Sequence, residues 1–227
     1  AGNLRLQPNA YGDFTVVNLV PLETYLRGVV PFEIGADAPT NAVQAQAIIA
    51  RTYALRNLRR FAVDDYQLCA TVHCQVYKGL SGTNPTIDRA IAATKAKVLT
   101  YQNELVDALY SSANGGVTAY FEDVWDGKPQ PYLKPIVDAP DKVWDLSSQP
   151  LTSETFVRRF ISLNKGFNEK GNITFRWHKK IKLQDLNNEL RDYLQRSNSS
   201  LGEFTTVEGM SVKKRSLSGR ILTMEVK

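Results

Sequence analysis

Cysteine, histidine and methionine are scarce in this sequence of 227 residues, which contains two of each. With two cysteines, no more than one internal disulfide can form, so disulfides do not supply the framework of the fold. Hydrophobic residues make up 43% and charged residues 22%, as in an ordinary globular protein, so the chain can bury a sizeable core. The length is compatible with one large domain or with two small, closely associated lobes.

Long apolar runs are also missing from the sequence. No stretch approaches the ~20 residues that a bilayer-spanning helix needs, and no signal peptide is recognisable. The sequence begins at Ala1-Gly2-Asn3, as a trimmed or mature form would, so a missing signal does not indicate a cytoplasmic protein. Nucleic acid is a weak candidate ligand, because the longest basic run is residues 213–215 and no nucleic-acid motif is present.

The net charge of +5 is unevenly distributed along the chain. Residues 1–150 contain 13 Lys or Arg against 15 Asp or Glu, a balance of −2, whereas residues 151–227 contain 15 against 8, a balance of +7. The C-terminal third is therefore the part that can face an anionic polymer. A solvated positive face explains the same surplus equally well.

Alternating strand and helix signals predict an α+β fold of helices and short antiparallel sheets, in one domain or in two packed lobes, about 1–125 and 126–227, with a groove between them. Apolar residues at helical spacing predict helices over about 40–60, 85–96, 153–164 and 183–196. A shorter helix over 22–30 is expected to run into a turn at Pro31. Strand signals occur at residues 14–20 and 75–77, in a hairpin over 97–110, and in a small C-terminal sheet over 204–227.

Glu33 lies between Phe32 and Ile34, shortly after two valines. If these apolar neighbours desolvate the carboxyl, its protonated form is favoured, which is what a general acid for a poor leaving group needs. A surface glutamate in a turn is the other interpretation, and the local sequence alone favours it, because flanking residues need not pack on the carboxyl.

Two polar residues, Gln46 and Arg51, lie in the alanine-rich helix predicted over 40–60. If they are buried, each needs a partner. Arg51 can then hold a carboxylate in a fixed direction, and Gln46 can hydrogen-bond a sugar. Both residues fit the solvated face of the helix equally well.

Both cysteines and one of the two histidines fall within six residues, as Cys69, His73 and Cys74. Three soft ligands so close together indicate zinc, with a fourth ligand from elsewhere or from water. The two cysteines can instead form a small-loop disulfide in an oxidising compartment, or remain plain thiols.

Residues 111–118 combine serine, asparagine and threonine with two adjacent glycines, and Trp125 follows soon after. The glycines predict a loop that a bulky ligand can approach closely. The polar side chains offer hydrogen bonds, and Trp125 offers a flat face for stacking on a sugar ring. The other interpretation of this segment is a tight hairpin loop followed by a tryptophan buried in the core.

Four segments occur in an order that resembles a known family: YLRGVVPFE (25–33), AQAIIARTYA (45–54), CQVYKG (74–79) and SANGGVT (112–118). The segment RSLSGR (215–220) fits as well. The chain resembles the stage II sporulation protein D family, also called the amidase enhancer family, over about residues 14–227. A single domain of this family over 1–227 is therefore expected.

The resemblance implies a peptidoglycan lytic transglycosylase, which cleaves between N-acetylmuramic acid and N-acetylglucosamine and leaves a 1,6-anhydro end, with a preference for peptide-stripped strands. Glu33 matches the catalytic glutamate of the family. The residues expected to contact the substrate are Gln46, Arg51, Tyr53, Gln75, Tyr77, Ser112, Asn114, Gly115, Gly116, Thr118 and Trp125. Arg51 and Gln46 would lie near Glu33, and the loop over 112–118 would line the groove.

No cofactor is expected for catalysis, since one carboxyl can act first as acid and then as base on the sugar's own 6-hydroxyl. The resemblance raises a structural zinc at Cys69, His73 and Cys74 beside the disulfide alternative. It also implies export to the cell envelope, glycan strands as a partner, and a cell-wall amidase as a second one. A non-catalytic wall-binding module that enhances such an amidase is the alternative function.

Overall fold

The computed structural model describes residues 2–9, 11–197 and 204–227. The α+β class is confirmed, with five α-helices and three two-stranded antiparallel sheets in these ranges. The chain divides into two compact units, unit 1 (Ala1–Tyr110) and unit 2 (Ser111–Lys227). This division precedes the sub-lobe boundary expected near residue 125, because residues after Tyr110 pair with later ones. The Thr118 N–H, for example, donates to the Ile136 carbonyl at 2.9 Å.

Unit 1 consists of two hairpins and three helices. In chain order these elements are β1 (Asn3–Pro8), β2 (Phe14–Leu19), α1 (Leu22–Ile34), α2 (Thr40–Arg56), α3 (Pro85–Ala93), β3 (Thr100–Tyr101) and β4 (Glu104–Leu105). The sequence did not predict β1, which pairs with β2 from Asn3 opposite Leu19 to Pro8 opposite Phe14. The short strand predicted at 75–77 is extended chain without a partner strand in the described residues.

The three helices enclose the core of unit 1. Small residues of α2, Ala47 and Ala50, are fully buried against Leu26 and Val29 of α1, so the two helices can approach closely. α3 begins as its sequence predicts, with Pro85 in the first turn and the Asn84 side chain accepting the Ile87 N–H at 2.9 Å.

The turn predicted at Pro31 is wrong, because α1 continues through Pro31 to Ile34. A proline inside a helix loses one backbone hydrogen bond and costs about 3 kcal/mol. Here Val29, Val30 and Pro31 are all buried, and we attribute the continuation to this packing. The consequence is that Glu33 lies in the last turn of a helix.

The hairpin of β3 and β4 has a two-residue turn, as predicted, at Gln102 and Asn103. Both residues have positive φ, 50° and 65°, which is the backbone of a type I′ turn. α2 and α3 end three to four residues earlier than predicted, at Arg56 and Ala93.

Unit 2 contains α4 (Glu154–Ser162), α5 (Leu183–Arg196), β5 (Met210–Arg215) and β6 (Ile221–Val226), which confirms the helices and the C-terminal sheet expected there. Its core is built largely from aromatic residues, including Phe160, Phe167 and Phe175. No helix in the described residues is long and apolar enough to cross a membrane.

Arg51 is the largest fully buried side chain of the protein, with 1% exposure. Its guanidinium joins α2 to the start of α1 through two hydrogen bonds to Glu23, of 2.8 and 2.9 Å. It also donates to the Lys97 carbonyl at 3.0 Å, just before β3. Arg51 therefore connects three parts of unit 1.

We expect Arg51→Ala to lower the free energy of unfolding by about 3 kcal/mol, because it opens a cavity and leaves Glu23 without its partner. Arg27→Ala is the matched control. Arg27 forms an equally short two-pronged pair with Asp88, but its side chain is 37% exposed. Its loss should cost about 1 kcal/mol or less. Urea denaturation measures both, and equal losses would contradict the structural role of Arg51.

Candidate functional site

Glu33 is half-buried, and its carboxylate is held by the main chain of a distant segment. Its Oε1 atom accepts the Val76 N–H at 2.6 Å. The neighbouring residues fix that segment in place. The Gln75 side chain donates to the Ala50 carbonyl of α2 at 3.2 Å, and the Tyr77 ring packs against Gly28 of α1. The carboxylate is thus oriented by a segment that is itself fixed to two helices.

Tyrosine side chains surround Glu33 in unit 1. Burial raises the pKa of Tyr25, and the nearby Tyr53, Glu33 and Tyr77 raise it further. Burial also raises the pKa of Tyr110, followed by the negative charge of Glu33. Both phenols consequently keep their protons at neutral pH and can act as hydrogen-bond donors. Tyr25 also stacks on Tyr77, with ring centroids 5.3 Å apart.

Several polar atoms around this cluster are buried without a hydrogen-bond partner among the described residues. They are the hydroxyls of Tyr25 and Tyr110, Nε2 of Gln46 and Oε1 of Gln75. The Tyr110 hydroxyl lies beside Glu33. Besides burial, both the charge of Glu33 and a side-chain hydrogen bond to it raise the pKa of Tyr110, although that bond lies outside normal hydrogen-bond geometry. Such unmet groups are uncommon in folded proteins and are candidates for binding a polar ligand.

The two glutamines belong to one arrangement. Gln46, Ala50 and Tyr53 lie on one face of α2, four and then three residues apart. Gln75 bonds to Ala50 on that face, and the next residue, Val76, bonds to Glu33. The structure thus links most of the residues that the sequence selected in unit 1.

Phe32 and Ile34, which were expected to desolvate Glu33, point in other directions. Successive residues of a helix project about 100° apart. The Phe32 ring lies against Gly82 and beneath the Lys78 ammonium at 5.3 Å, and Ile34 packs on the helical core. The surroundings of Glu33 are instead a backbone N–H and tyrosine side chains.

Arg51 is buried and bonded to Glu23, and that it contacts the substrate beside Glu33 stays a prediction. The guanidinium holds a carboxylate, as anticipated, but that carboxylate is Glu23, ten residues before Glu33 on α1. Gln75 is likewise fully buried, which suits a residue that supports the site. Gln46 and Tyr53 are 8% and 7% exposed, and Tyr77 is half-buried.

A groove of about 830 Å³ in unit 1 lies beside this cluster. Tyr25 and Tyr77 line it together with β2, the end of α2 and residues 66–70. The Tyr77 hydroxyl accepts a hydrogen bond from Asn18 of β2 at 2.7 Å. The stacked tyrosine pair therefore contributes both to the wall of the groove and to the surroundings of Glu33.

The loop over 112–118 belongs to unit 2, and its polar groups are largely used within that unit. Glu169 accepts the Asn114 and Gly116 N–H groups. Arg176 and Arg220 donate to carbonyls of the loop, at 2.8 Å to Gly115 and 3.0 Å to Asn114. Gly116 has φ of 89°, and a Cβ there would lie 2.9 Å from the Phe167 ring. Tight internal packing thus accounts for Gly116, and the Asn114 side chain is used within the same unit, where it donates to Asp138 at 2.8 Å.

Among the other residues predicted in unit 2, Thr118 bonds to the Lys134 carbonyl at 2.7 Å. Ser112 is exposed, and Trp125 is 55% exposed. An exposed indole remains available to a ligand, whereas Asn114 and Thr118 already have partners. That these residues line one groove with Glu33 stays a prediction.

Sequence reasoning missed three contributors to the site: Tyr25, Tyr110 and the Val76 N–H. Tyr25 opens the segment 25–33 and Tyr110 directly precedes the glycine-rich loop, so both were within reach as polar aromatic residues beside recognised motifs. The backbone group of Val76 carries no signal in the sequence.

Cys69 and Cys74 form a disulfide. The Cys69 N–H donates to Cys74 Sγ at 3.1 Å, and the Tyr77 N–H donates to the Ala70 carbonyl at 3.1 Å. The small closed loop therefore directly precedes the segment that holds Glu33.

No group of three His, Cys, Asp or Glu side chains in the described part of the chain has an arrangement that fits a metal ion. Zinc at Cys69, His73 and Cys74 stays a prediction of the resemblance.

The disulfide and zinc alternatives are separable by alkylation and metal analysis of the purified protein. With a disulfide, iodoacetamide should leave both cysteines unmodified until a reductant is added, and zinc content should be far below one per chain. With zinc, a chelator alone should make both cysteines reactive. Intact mass spectrometry measures the first quantity and elemental analysis the second. One equivalent of bound zinc would contradict the disulfide.

The two units match different protein families. Residues 10–101 match the family described as "Stage II sporulation protein", and residues 119–227 match a family described as "Domain of unknown function (DUF8618)". The first match includes Glu33 and all the site residues of unit 1 up to Tyr77.

Individual relatives agree with the first of these matches. The chain is 39% identical over 108 residues to the "Amidase enhancer" of Bacillus subtilis, covering 48% of this chain and 14% of that protein. It is 34% identical over 146 residues to the "Stage II sporulation protein D" of the same organism, covering 56% and 41%. An uncharacterized protein of Brachyspira hyodysenteriae is 34% identical over 134 residues, covering 58% and 36%.

The chain thus spans less than half the length of each of these curated relatives. The shared region contains the helix that presents Glu33 and the segment that holds it. Through residues 10–101, the chain is similar to the family described as "Stage II sporulation protein".

Proposed function

We propose that this protein is a peptidoglycan lytic transglycosylase in which Glu33 acts as both acid and base. The observation that carries the proposal is the half-buried Glu33 carboxylate, held by the Val76 N–H among tyrosine hydroxyls. The names of its relatives, stage II sporulation protein D and amidase enhancer, support a role at the cell wall. A cell-envelope location follows from the same proposal.

The reaction needs one carboxyl group in two successive roles. The protonated Glu33 first donates its proton to the oxygen between N-acetylmuramic acid and N-acetylglucosamine, so the glycosidic bond breaks and N-acetylglucosamine leaves as an alcohol. The resulting carboxylate then accepts the proton of the muramic acid 6-hydroxyl as that oxygen bonds to C1. The 1,6-anhydro ring forms, no water is consumed, and Glu33 is protonated again.

The surroundings of Glu33 suit these two successive proton transfers better than they suit hydrolysis by water. A glycoside hydrolase of the common type requires a second carboxylate within about 5–9 Å. Burial contributes most to the raised pKa of both Tyr25 and Tyr110. Glu33 is the one carboxylate that contributes as well, and the other contributions come from neighbouring tyrosines. Glu23 is paired with Arg51 and Asp88 with Arg27, so these carboxylates have structural roles.

Glu33→Gln should reduce the formation of anhydro products from peptide-free glycan strands by about 10²–10⁴-fold, because the amide cannot donate the proton. The products are measured by liquid chromatography and mass spectrometry. Glu104→Gln, at an exposed position of β4 in the same unit, is the control with the same charge change and should retain full activity.

If the unmutated protein forms no anhydro product, the transglycosylase proposal fails. The second candidate is then a glycan-binding module that stimulates a cell-wall amidase, favoured by the name of the Bacillus subtilis relative. That function predicts that Glu33→Gln leaves glycan binding and amidase stimulation intact.

The unmet hydroxyls give a further prediction. Tyr25→Phe and Tyr110→Phe should change the free energy of unfolding by no more than about 1 kcal/mol, because neither hydroxyl makes a hydrogen bond of normal geometry in the described residues. If these hydroxyls bind the substrate or Glu33 during the reaction, activity should fall about tenfold or more. Thermal unfolding and product formation measure the two effects. A loss of stability together with full activity would show that the hydroxyls serve the fold.

A further inference from the structure

The segment 170–184 of unit 2 contains no acidic residue and five basic ones. Four of these, Lys170, Lys179, Lys180 and Lys182, are exposed. None of their four ammonium groups makes a hydrogen bond or ion pair with any group in the described residues. These four lysines therefore carry their positive charge without an ion-pair partner in the described residues.

Large apolar side chains are exposed in the same segment. Ile173 is 90% exposed, Trp177 72%, Leu183 48% and Ile181 43%. An isolated exposed apolar residue is normal, but here four lie within eleven positions, interleaved with lysines, so the exposed side chains of this segment are both apolar and cationic. We call the exposed residues from Ile173 to Leu183 the basic-aromatic surface.

The middle of the segment is anchored in the core of unit 2. Phe175 is buried, and the Arg176 guanidinium lies 3.8 Å from its ring centroid. Arg176 also donates to the Leu163 carbonyl at 2.9 Å. After Leu183 the chain continues as α5. The basic-aromatic surface is therefore held in place at Phe175 and Arg176 and is followed by helix α5.

We propose that the basic-aromatic surface binds the surface of a membrane that contains anionic phospholipids. Lysines beside a membrane are attracted to its negative surface potential, and tryptophan prefers the headgroup level, where its ring is partly apolar and its N–H is hydrated. Charge complementarity alone would also fit a soluble polyanion. A polyanion gives no reason for exposed Ile173, Trp177 and Ile181, whereas the apolar boundary of a bilayer does.

This binding is peripheral and does not depend on the activity proposed for Glu33, which lies in unit 1. It assigns a role to the part of the chain that matches a domain of unknown function. The exposed lysines of this surface thus have a different role from Arg176 and Arg220, which hold the loop over 112–118.

The test is co-sedimentation of the full chain with vesicles of phosphatidylglycerol and phosphatidylcholine mixed about one to two, compared with pure phosphatidylcholine. Binding is expected to the mixed vesicles, to weaken at high salt, and to be much lower on pure phosphatidylcholine. The Glu33→Gln variant should bind as the parent does.

The combined substitution Lys179→Gln, Lys180→Gln and Lys182→Gln should lower binding about a hundredfold, at about fivefold for each lysine. The matched control replaces Lys128, Lys134 and Lys142, three exposed lysines of the same unit, by Gln and should change binding by less than about fivefold. Because all six positions are exposed, circular dichroism should show every variant folded.

Trp177→Ser tests the apolar contribution and should lower vesicle binding about tenfold without a change in charge. Equal losses in the two triple variants would overturn the proposal, as would equal binding to both kinds of vesicle. Binding to a soluble glycerol-phosphate polymer that does not change in Trp177→Ser, together with no binding to vesicles, would assign the surface to a polyanion and also overturn it.

Discussion

The close contact between Gly28 and Tyr77 is the constraint on which the Glu33 site depends. A Cβ at residue 28 would lie 2.4 Å from the Tyr77 ring, so no larger residue fits there without displacing the ring. Glycine inside a helix costs about 1 kcal/mol relative to alanine. In return, the segment 75–77 lies directly on α1, where the Lys78 N–H also donates to the Gly28 carbonyl at 3.1 Å. That approach brings the Val76 N–H within 2.6 Å of Glu33.

Local signals allowed much of the fold to be predicted. The alanine-rich α2, the leucine-rich α5 and the turn at Gln102 and Asn103 are set by spacing and backbone preference within a few residues. The continuation of α1 through Pro31 was not predictable in this way. It depends on the packing of Val29 and Val30 against residues far along the chain, and such packing can outweigh the local cost of a proline.

The sequence analysis selected residues that the structure places close together, but it did not predict their partners. The sequence selected Glu33, Gln46, Arg51 and Gln75, and the structure places them in one connected region of unit 1. Their roles depend on burial and on partners that a sequence does not specify. Arg51 meets Glu23 because both lie where α1 and α2 pack together, and no local rule distinguishes Glu23 from Glu33 as its partner. The flanking residues of Glu33 likewise revealed nothing about its real neighbours.

The basic surplus of the C-terminal third has two separate uses. Arg176 and Arg220 point inward, where the planar guanidinium can donate several hydrogen bonds to backbone carbonyls at once. They hold the glycine-rich loop, whose N–H groups are bound by Glu169. Lysine, a compact and strongly hydrated cation, supplies the exposed charge between Lys179 and Lys182. The net charge alone could not distinguish these uses, which depend on where each side chain lies in the fold.

Residues of helix α1 that take no part in the proposed reaction can still determine where Glu33 lies. Glu23 lies at its start, Gly28 in its middle and Glu33 at its end, so the outer two are separated by about 15 Å along the helix axis. Arg51 fixes the start of the helix, and Tyr77 fixes its middle. A helix held at two points has little freedom to tilt or slide, so contacts elsewhere along the helix determine the position of the carboxylate at its end. Pro31 contributes in the same way. It is buried, and α1 continues past it to the last turn, which contains Glu33.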